Sequence, residues 1–153
     1  MIFTKIFKLM VNEEYKHSAI TARIIKCCYA VHNTLGCGFQ EVIYQRALAI
    51  EMELEGLSFT REQEMPLYYR DKQIGERRVD FLVENEVSVE IKAVSQMQPS
   101  HIAQGINYLE AFKFEVGMLV NFGAEKLEFK RLMKSPQQLK KGNQYGFTDY
   151  NKQ

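Results

Sequence analysis

A chain of 153 residues with 46% apolar and 25% charged side chains can bury a sizeable core. Its formal charge of +1 excludes a global field built for a polyanionic partner. Cys27, Cys28 and Cys37 are odd in number and two of them are adjacent. That excludes an ordinary disulfide framework and points to a reducing, cytoplasmic setting.

The opening MIFTKIFKLMV is apolar but carries Lys5 and Lys8 and lacks a small-residue cleavage site before NEEYKH. It is far shorter than the roughly 20 residues that cross a bilayer, so it reads as a packed or frayed segment and no membrane partner is expected. From about Asn12 to Leu35, Ile20, Ile24, Cys28, Val31 and Leu35 recur at three- and four-residue steps, which predicts an amphipathic helix stopped by the glycines of GCG at 36–38. FQEVIYQRALAIEMELEGL restarts a helix, with Val42, Ala49 and Met52 as inward candidates, and Gly56 ends it. EQEMPLYY (62–69), RRVDFLVE (77–84) and VSVEIKAV (87–94) then read as three hairpin-linked strands, with RDKQIG and NE as their turns. Pro66 marks the first as an edge strand or a bulged one. PSHIAQGINYLEAFKF opens on a helix-starting proline and carries Ile102, Ile106 and Leu109 at helical spacing. VGMLVNF predicts a buried strand and KLEFKRL a further short one.

This order implies an α/β fold, one central mixed β-sheet flanked by helices, with two helices at the N-terminal side. One domain is expected over 1–153, with a core at about 13–132 and a basic tail at 133–153. From Lys130 onward, Lys130, Arg131, Lys134, Lys140, Lys141 and Lys152 stand against Asp149 alone. A solvated tail is the simpler reading of that run, and contact with a phosphate backbone the other.

The chemistry sits on two strands. Alternation puts Val79, Phe81 and Val83 on one face and Asp80 with Leu82 on the other. On the next strand Glu90 and Lys92 share a face opposite Val89 and Ile91. The short turn after residue 84 makes Asp80 and Glu90 near neighbours across the ladder. Two carboxylates placed so closely repel unless a positive charge lies between them, and hard oxygen donors favour Mg²⁺ or Mn²⁺ over Zn²⁺. On spacing alone, a surface Glu90–Lys92 ion pair with Asp80 in a solvated turn accounts for the pattern equally well. Helical spacing adds Gln104 with Tyr108, and Glu41 with Tyr44.

Asp80, then Glu90-x-Lys92 on the next strand, preceded by helical Glu41 and followed by Gln104-x-x-x-Tyr108, resembles the PD-(D/E)XK nuclease superfamily, and within it the RecB-like nucleases. GFQEVIY, with Gly38, Glu41 and Tyr44 as fixed letters, is similar to the small prokaryotic GxxExxY family, as are IIKCCYAVHNTLGCG and VGMLVNFG. The resemblance covers roughly 18–132 and departs at Cys37, where a proline is frequent, which touches a turn rather than the chemistry. It implies a restriction-endonuclease-like fold and a Mg²⁺- or Mn²⁺-dependent hydrolase of phosphodiesters in nucleic acid, DNA first. It also implies that Asp80 and Glu90 bind the metal with the Ile91 carbonyl, and that Glu41 completes or hydrogen-bonds the shell. Lys92 would position and help activate a water, and Gln104 and Tyr108 would orient the lysine or hold a phosphate.

Two other functional classes stay open. One is a non-catalytic nucleic-acid- or protein-binding module on the same fold; the other is a hydrolase of smaller phosphoesters. A homodimer, or a protein partner supplying specificity, is compatible with either. A zinc site from Cys28, His32 and Cys37 is disfavoured, because paired Cys-x-x-Cys spacing is missing and Cys28 falls on the apolar stripe. His17 and His101 read as capping or solvated residues.

Overall fold

The computed structural model describes residues 17–133. The expected helical start at 12–16, the apolar opening segment and nearly all of the basic tail lie outside the described residues. Helix α1 (Ser18–Leu35) and helix α2 (Glu41–Leu54) are followed by strands β1 (Phe59–Tyr69), β2 (Lys72–Val83) and β3 (Val87–Lys92). Helix α3 (Pro99–Phe112) then precedes β4 (Val116–Asn121) and β5 (Glu128–Met133). The five strands form one sheet in the order β1-β2-β3-β4-β5. All neighbours are antiparallel except β3 and β4, which are parallel and joined through α3.

The sheet separates two cores. On one face Ile24, Cys28, Leu48 and Met52 of α1 and α2 pack on Phe81, Val89, Ile91 and Val120. On the other, Leu109 and Phe112 of α3 pack on Val79, Leu82, Leu119 and Leu132. β4 is buried along its whole length, as a central strand covered on both faces must be. β1 lies at the sheet edge, where Pro66 leaves no interior ladder bond unmade.

Three local expectations are corrected. Val42 is 38% exposed, because the buried stripe of α2 runs through Tyr44, Leu48 and Met52, two residues out of phase with it. The β1–β2 turn is only Arg70–Asp71, both at positive φ, so residues 72–75 join β2 instead of forming a loop. Val79 does not share a face with Phe81 and Val83: it packs with Leu82 in the α3 core, while Phe81 and Val83 enter the α1–α2 core. Strand alternation therefore breaks at Asp80. Across the ladder Arg61 pairs with Phe81 and Gln63 with Val79, while Glu62 between them takes φ 50° and is left out of the pairing. The hairpin crosses from one face of the sheet to the other at this point.

The end of β4 is locked to the end of β3. Buried Asn121 accepts from the backbone N–H of Val94 and Gly123 at 3.0 Å each, and donates to the Val94 carbonyl and to Glu128. Every polar atom of this buried amide is thereby satisfied. A Cβ on Gly123 would lie 2.4 Å from Val94 N and 2.5 Å from the Ala93 carbonyl carbon, both backbone atoms. Gly123→Ala is therefore expected to destabilise the fold by about 1–3 kcal/mol in urea unfolding, as overpacking does. Gly75→Ala, whose Cβ meets nothing within 4 Å, is expected to leave the midpoint nearly unchanged.

Candidate active site

The loop before α2 is held from below. Tyr44, fully buried, donates its hydroxyl to the Gly36 carbonyl at 2.6 Å and accepts from the Phe39 N–H at 3.2 Å. Its ring stacks on Phe122, 4.9 Å between centroids and 11° between planes. Gly36 and Gly38, at φ 68° and 111°, take the backbone conformations that the sharp path requires. The Gly38–Glu41–Tyr44 pattern thus has a structural meaning: the glycine and tyrosine fix the loop, and the loop presents Glu41 at the first residue of α2. His32 serves the same scaffold, its Nε2 lying 3.0 Å from the Ala124 carbonyl. Cys28 is fully buried in the α1–α2 core and Cys37 is exposed, so the two do not meet.

Above this scaffold lies an open cleft of about 620 Å³ whose wall includes Phe39, Glu41, Gln45, Glu62, Asp80 and Ile91. Asp80 is oriented by two donors. Its Oδ2 accepts from the Ile91 N–H at 2.8 Å, and its Oδ1 from Gln45 Nε2 at 3.4 Å. Gln45 in turn accepts from Arg61 at 3.4 Å. Because β2 joins the β3 ladder only at Phe81, opposite Val89, the Ile91 N–H finds a side chain in place of a strand carbonyl.

Glu90 stands on the face toward α3. It lines a second cavity of about 10 Å³, the size of one water, together with Ser88, Tyr108 and Gly105. Its Oε2 accepts from Arg77 Nη2 at 2.8 Å. The Arg77 guanidinium lies 4.2 Å from the centre of the Tyr108 ring, and Tyr108 accepts from Gln104 at 3.1 Å. The surface Glu90–Lys92 pair that spacing allowed is therefore replaced by a Glu90–Arg77 pair whose carboxylate side chain is only 13% exposed.

The electrostatics couple the two faces. Burial raises the Asp80 pKa above the ordinary carboxylate value and Glu41 adds to it, against the Ile91 hydrogen bond and the charges of Arg77 and Lys92. Glu90 is pushed up to about 7, first by burial and then by the charge of Asp80, although Arg77 and Lys92 oppose the shift. Two carboxylates raised by burial and by a carboxylate neighbour form a site short of positive charge. That donor chemistry fits a hard divalent cation. In the arrangement seen, no group of three His, Cys, Asp or Glu side chains among the described residues is close enough to hold a metal.

The structure thus brings Glu41, Asp80 and Ile91 to one cleft, sets Glu90 and Lys92 within the field of Asp80, and groups Gln104 and Tyr108 with Glu90 through Arg77. Gln45, Arg61 and Arg77 belong to the site but escape the sequence reading. Gln45 carries a weak signal, four residues after Glu41 on one helical face. Arg77 carries none, since regular alternation puts it on the face away from Glu90.

The model of the PD-(D/E)XK nuclease superfamily matches residues 18–132. No curated protein matches the chain. Among solved structures, the crystal structure of SSO0001 is similar in fold, with a TM-score of 0.51 and 20% sequence identity over 81% of this chain. The match spans 62% of the SSO0001 chain, less than two thirds of its length.

In metal-free buffer the raised pKa of Glu90 gives a sign for stability. The folded chain binds this proton more tightly than the unfolded chain, whose carboxylate titrates near 4.5. Stability from this group is fully present below that value and is lost as pH rises through about 7. Glu90→Gln is expected to flatten the fall in unfolding free energy between about pH 5 and pH 8, removing of order 1–3 kcal/mol of it in chelator-treated protein.

Proposed function

The chain belongs to the PD-(D/E)XK nuclease superfamily, and from that premise we propose that it is a metal-dependent nuclease hydrolysing phosphodiester bonds, with DNA as the first substrate to test. Among the described residues, its five-stranded mixed sheet and three helices have the restriction-endonuclease-like α/β architecture. One observation carries the reading. Asp80 is fixed by the Ile91 N–H at the point where the hairpin changes face, between Glu41 in its cleft and Glu90 across the strand.

In this reading Asp80 and Glu90, with the Ile91 carbonyl and Glu41, would hold Mg²⁺ or Mn²⁺. Bound there, the cation supplies Lewis-acid polarisation of the phosphoryl oxygen and lowers the pKa of a water. Asp80 is already oriented by its two donors, so little reorganisation is asked of it. Glu41 enters from α2 on a loop that Tyr44 holds rigid. Lys92 places a positive charge in reach of both carboxylates, where it orients the attacking water and offsets charge that builds on the phosphate. Tyr108, supported by Gln104, seats the Arg77 guanidinium that holds Glu90.

The Gly38–Glu41–Tyr44 and Gln104–Tyr108 motifs support placement in the GxxExxY group with a RecB-like motif set. Three free cysteines, two of them buried, support a reducing cytoplasm. No helix among the described residues is long and apolar enough to cross a membrane. Sequence specificity would come from a second copy or a protein partner. A non-catalytic binding module is the second reading, and the Arg77–Glu90 ion pair is the observation that favours it, since it engages one of the two strand carboxylates.

The two readings part in a cleavage assay on linear, nicked, single-stranded and RNA substrates with Mg²⁺ or Mn²⁺. Asp80→Ala, Glu90→Ala and Lys92→Ala are each expected to lower cleavage at least about a hundredfold while the protein stays folded by circular dichroism. Full activity in all three would sink the assignment.

A further inference from the structure

Resting on the nuclease reading, we infer that the site takes a single strand, and that Phe39 is the platform on which a base next to the scissile phosphate stacks. Phe39 sits on the Gly36–Gln40 loop and lines the same cleft as Glu41 and Asp80. It is 48% exposed, a large apolar side chain left open to water beside three carboxylates. Its position is nevertheless fixed. Its N–H is bound by the Tyr44 hydroxyl, and its ring meets the Tyr44 ring edge-on, 6.1 Å between centroids and 79° between planes. A rigid, half-exposed aromatic presents stacking area at little entropic cost. Val42, 38% exposed one residue past Glu41, extends the apolar wall.

The charges lining the cleft favour a single strand over a duplex seated there. Glu41, Glu62 and Asp80 line the cleft, and among the described residues no Lys or Arg side chain does. A duplex is held mainly through lysine and arginine contacts along its phosphates. A single strand has a second source of affinity, since any unpaired base offers a π-face to an aromatic ring. The cleft volume of about 620 Å³ is in the range that encloses one small ligand. It accommodates a nucleotide splayed from its neighbours, with its phosphate at the carboxylates and its base on Phe39.

The test is steady-state cleavage of a single-stranded oligonucleotide, a blunt duplex and a duplex with an unpaired overhang, by wild type, Phe39→Ala and Phe39→Trp. A second readout follows quenching of 2-aminopurine beside the scissile phosphate, bound to Lys92→Ala protein in Ca²⁺. Phe39→Ala is expected to raise KM for the single strand about tenfold, with the loss in KM rather than in kcat, and to abolish the quenching; Phe39→Trp restores both. Wild type cuts the overhang and spares the blunt duplex. Unchanged KM and quenching in Phe39→Ala, or equal cutting of single strand and blunt duplex, overturns this inference and leaves the nuclease reading standing. A wild type that cleaves none of the substrates with either metal overturns both.

Discussion

The arrangement of this molecule depends on one break in a β-ladder. Before Phe81, β2 is not paired with β3, so the Ile91 N–H would be an unpaired donor in a partly buried strand, and the Asp80 carboxylate takes it at 2.8 Å. That single bond does two things. It satisfies a backbone group whose loss would cost about 1–3 kcal/mol, and it pins a carboxylate beside Glu90 although burial and like charge both work against ionisation there. The local positive charges, Arg77 and Lys92, reduce the penalty without removing it. The fold therefore keeps two acids close together although burial and like charge raise the pKa of both.

Around that break the rest is scaffold. Tyr44, Phe122 and His32 join α1, α2 and the loop after β4, so that Glu41 and Phe39 are carried on a rigid turn. Asn121 and Gly123 close the gap between the ends of β3 and β4, which fixes the backbone just beyond Lys92. The catalytic-looking side chains come from β2, β3 and the start of α2, but their positions are set by buried residues that touch no substrate. Such a division is expected where side chains must be placed within fractions of an ångström.

Much of this was legible from periodicity. The stripe Ile24–Cys28–Val31 and the continuous apolar run of β4 define their elements without help from elsewhere, because burial on one face or on both writes a different pattern. The grouping of Gln104 with Tyr108 was also readable, whereas Asp80 falls outside the β2–β3 register and Glu90 stands toward α3. What escaped has one cause. The face switch at Glu62 and Asp80 arises from a left-handed residue that is not glycine, which leaves no trace in the hydrophobic pattern. It moves Val79 and Arg77 to the α3 face, so the Arg77–Glu90 pair and the seat of Arg77 on Tyr108 could not be inferred from strict alternation. Val42 was misplaced for a simpler reason: an apolar residue beside a helix start counts as core in any window average, although here it lines a cleft.

Glu90 is where the two sides of the site compete. Arg77 draws it toward α3, while Asp80 and Glu41 leave a deficit of positive charge on the other side of the strand. In the proposed reading, a cation that satisfies the deficit takes Asp80, the carboxylate already fixed by the Ile91 N–H, as a ligand. The most direct measurement is a calorimetric titration of Mn²⁺ into the metal-free wild type and into Asp80→Asn, with folding checked in both. The account predicts one saturable site in the wild type that is lost when this carboxylate becomes an amide. Saturable binding of equal strength in the two proteins, or none in the wild type, would contradict it.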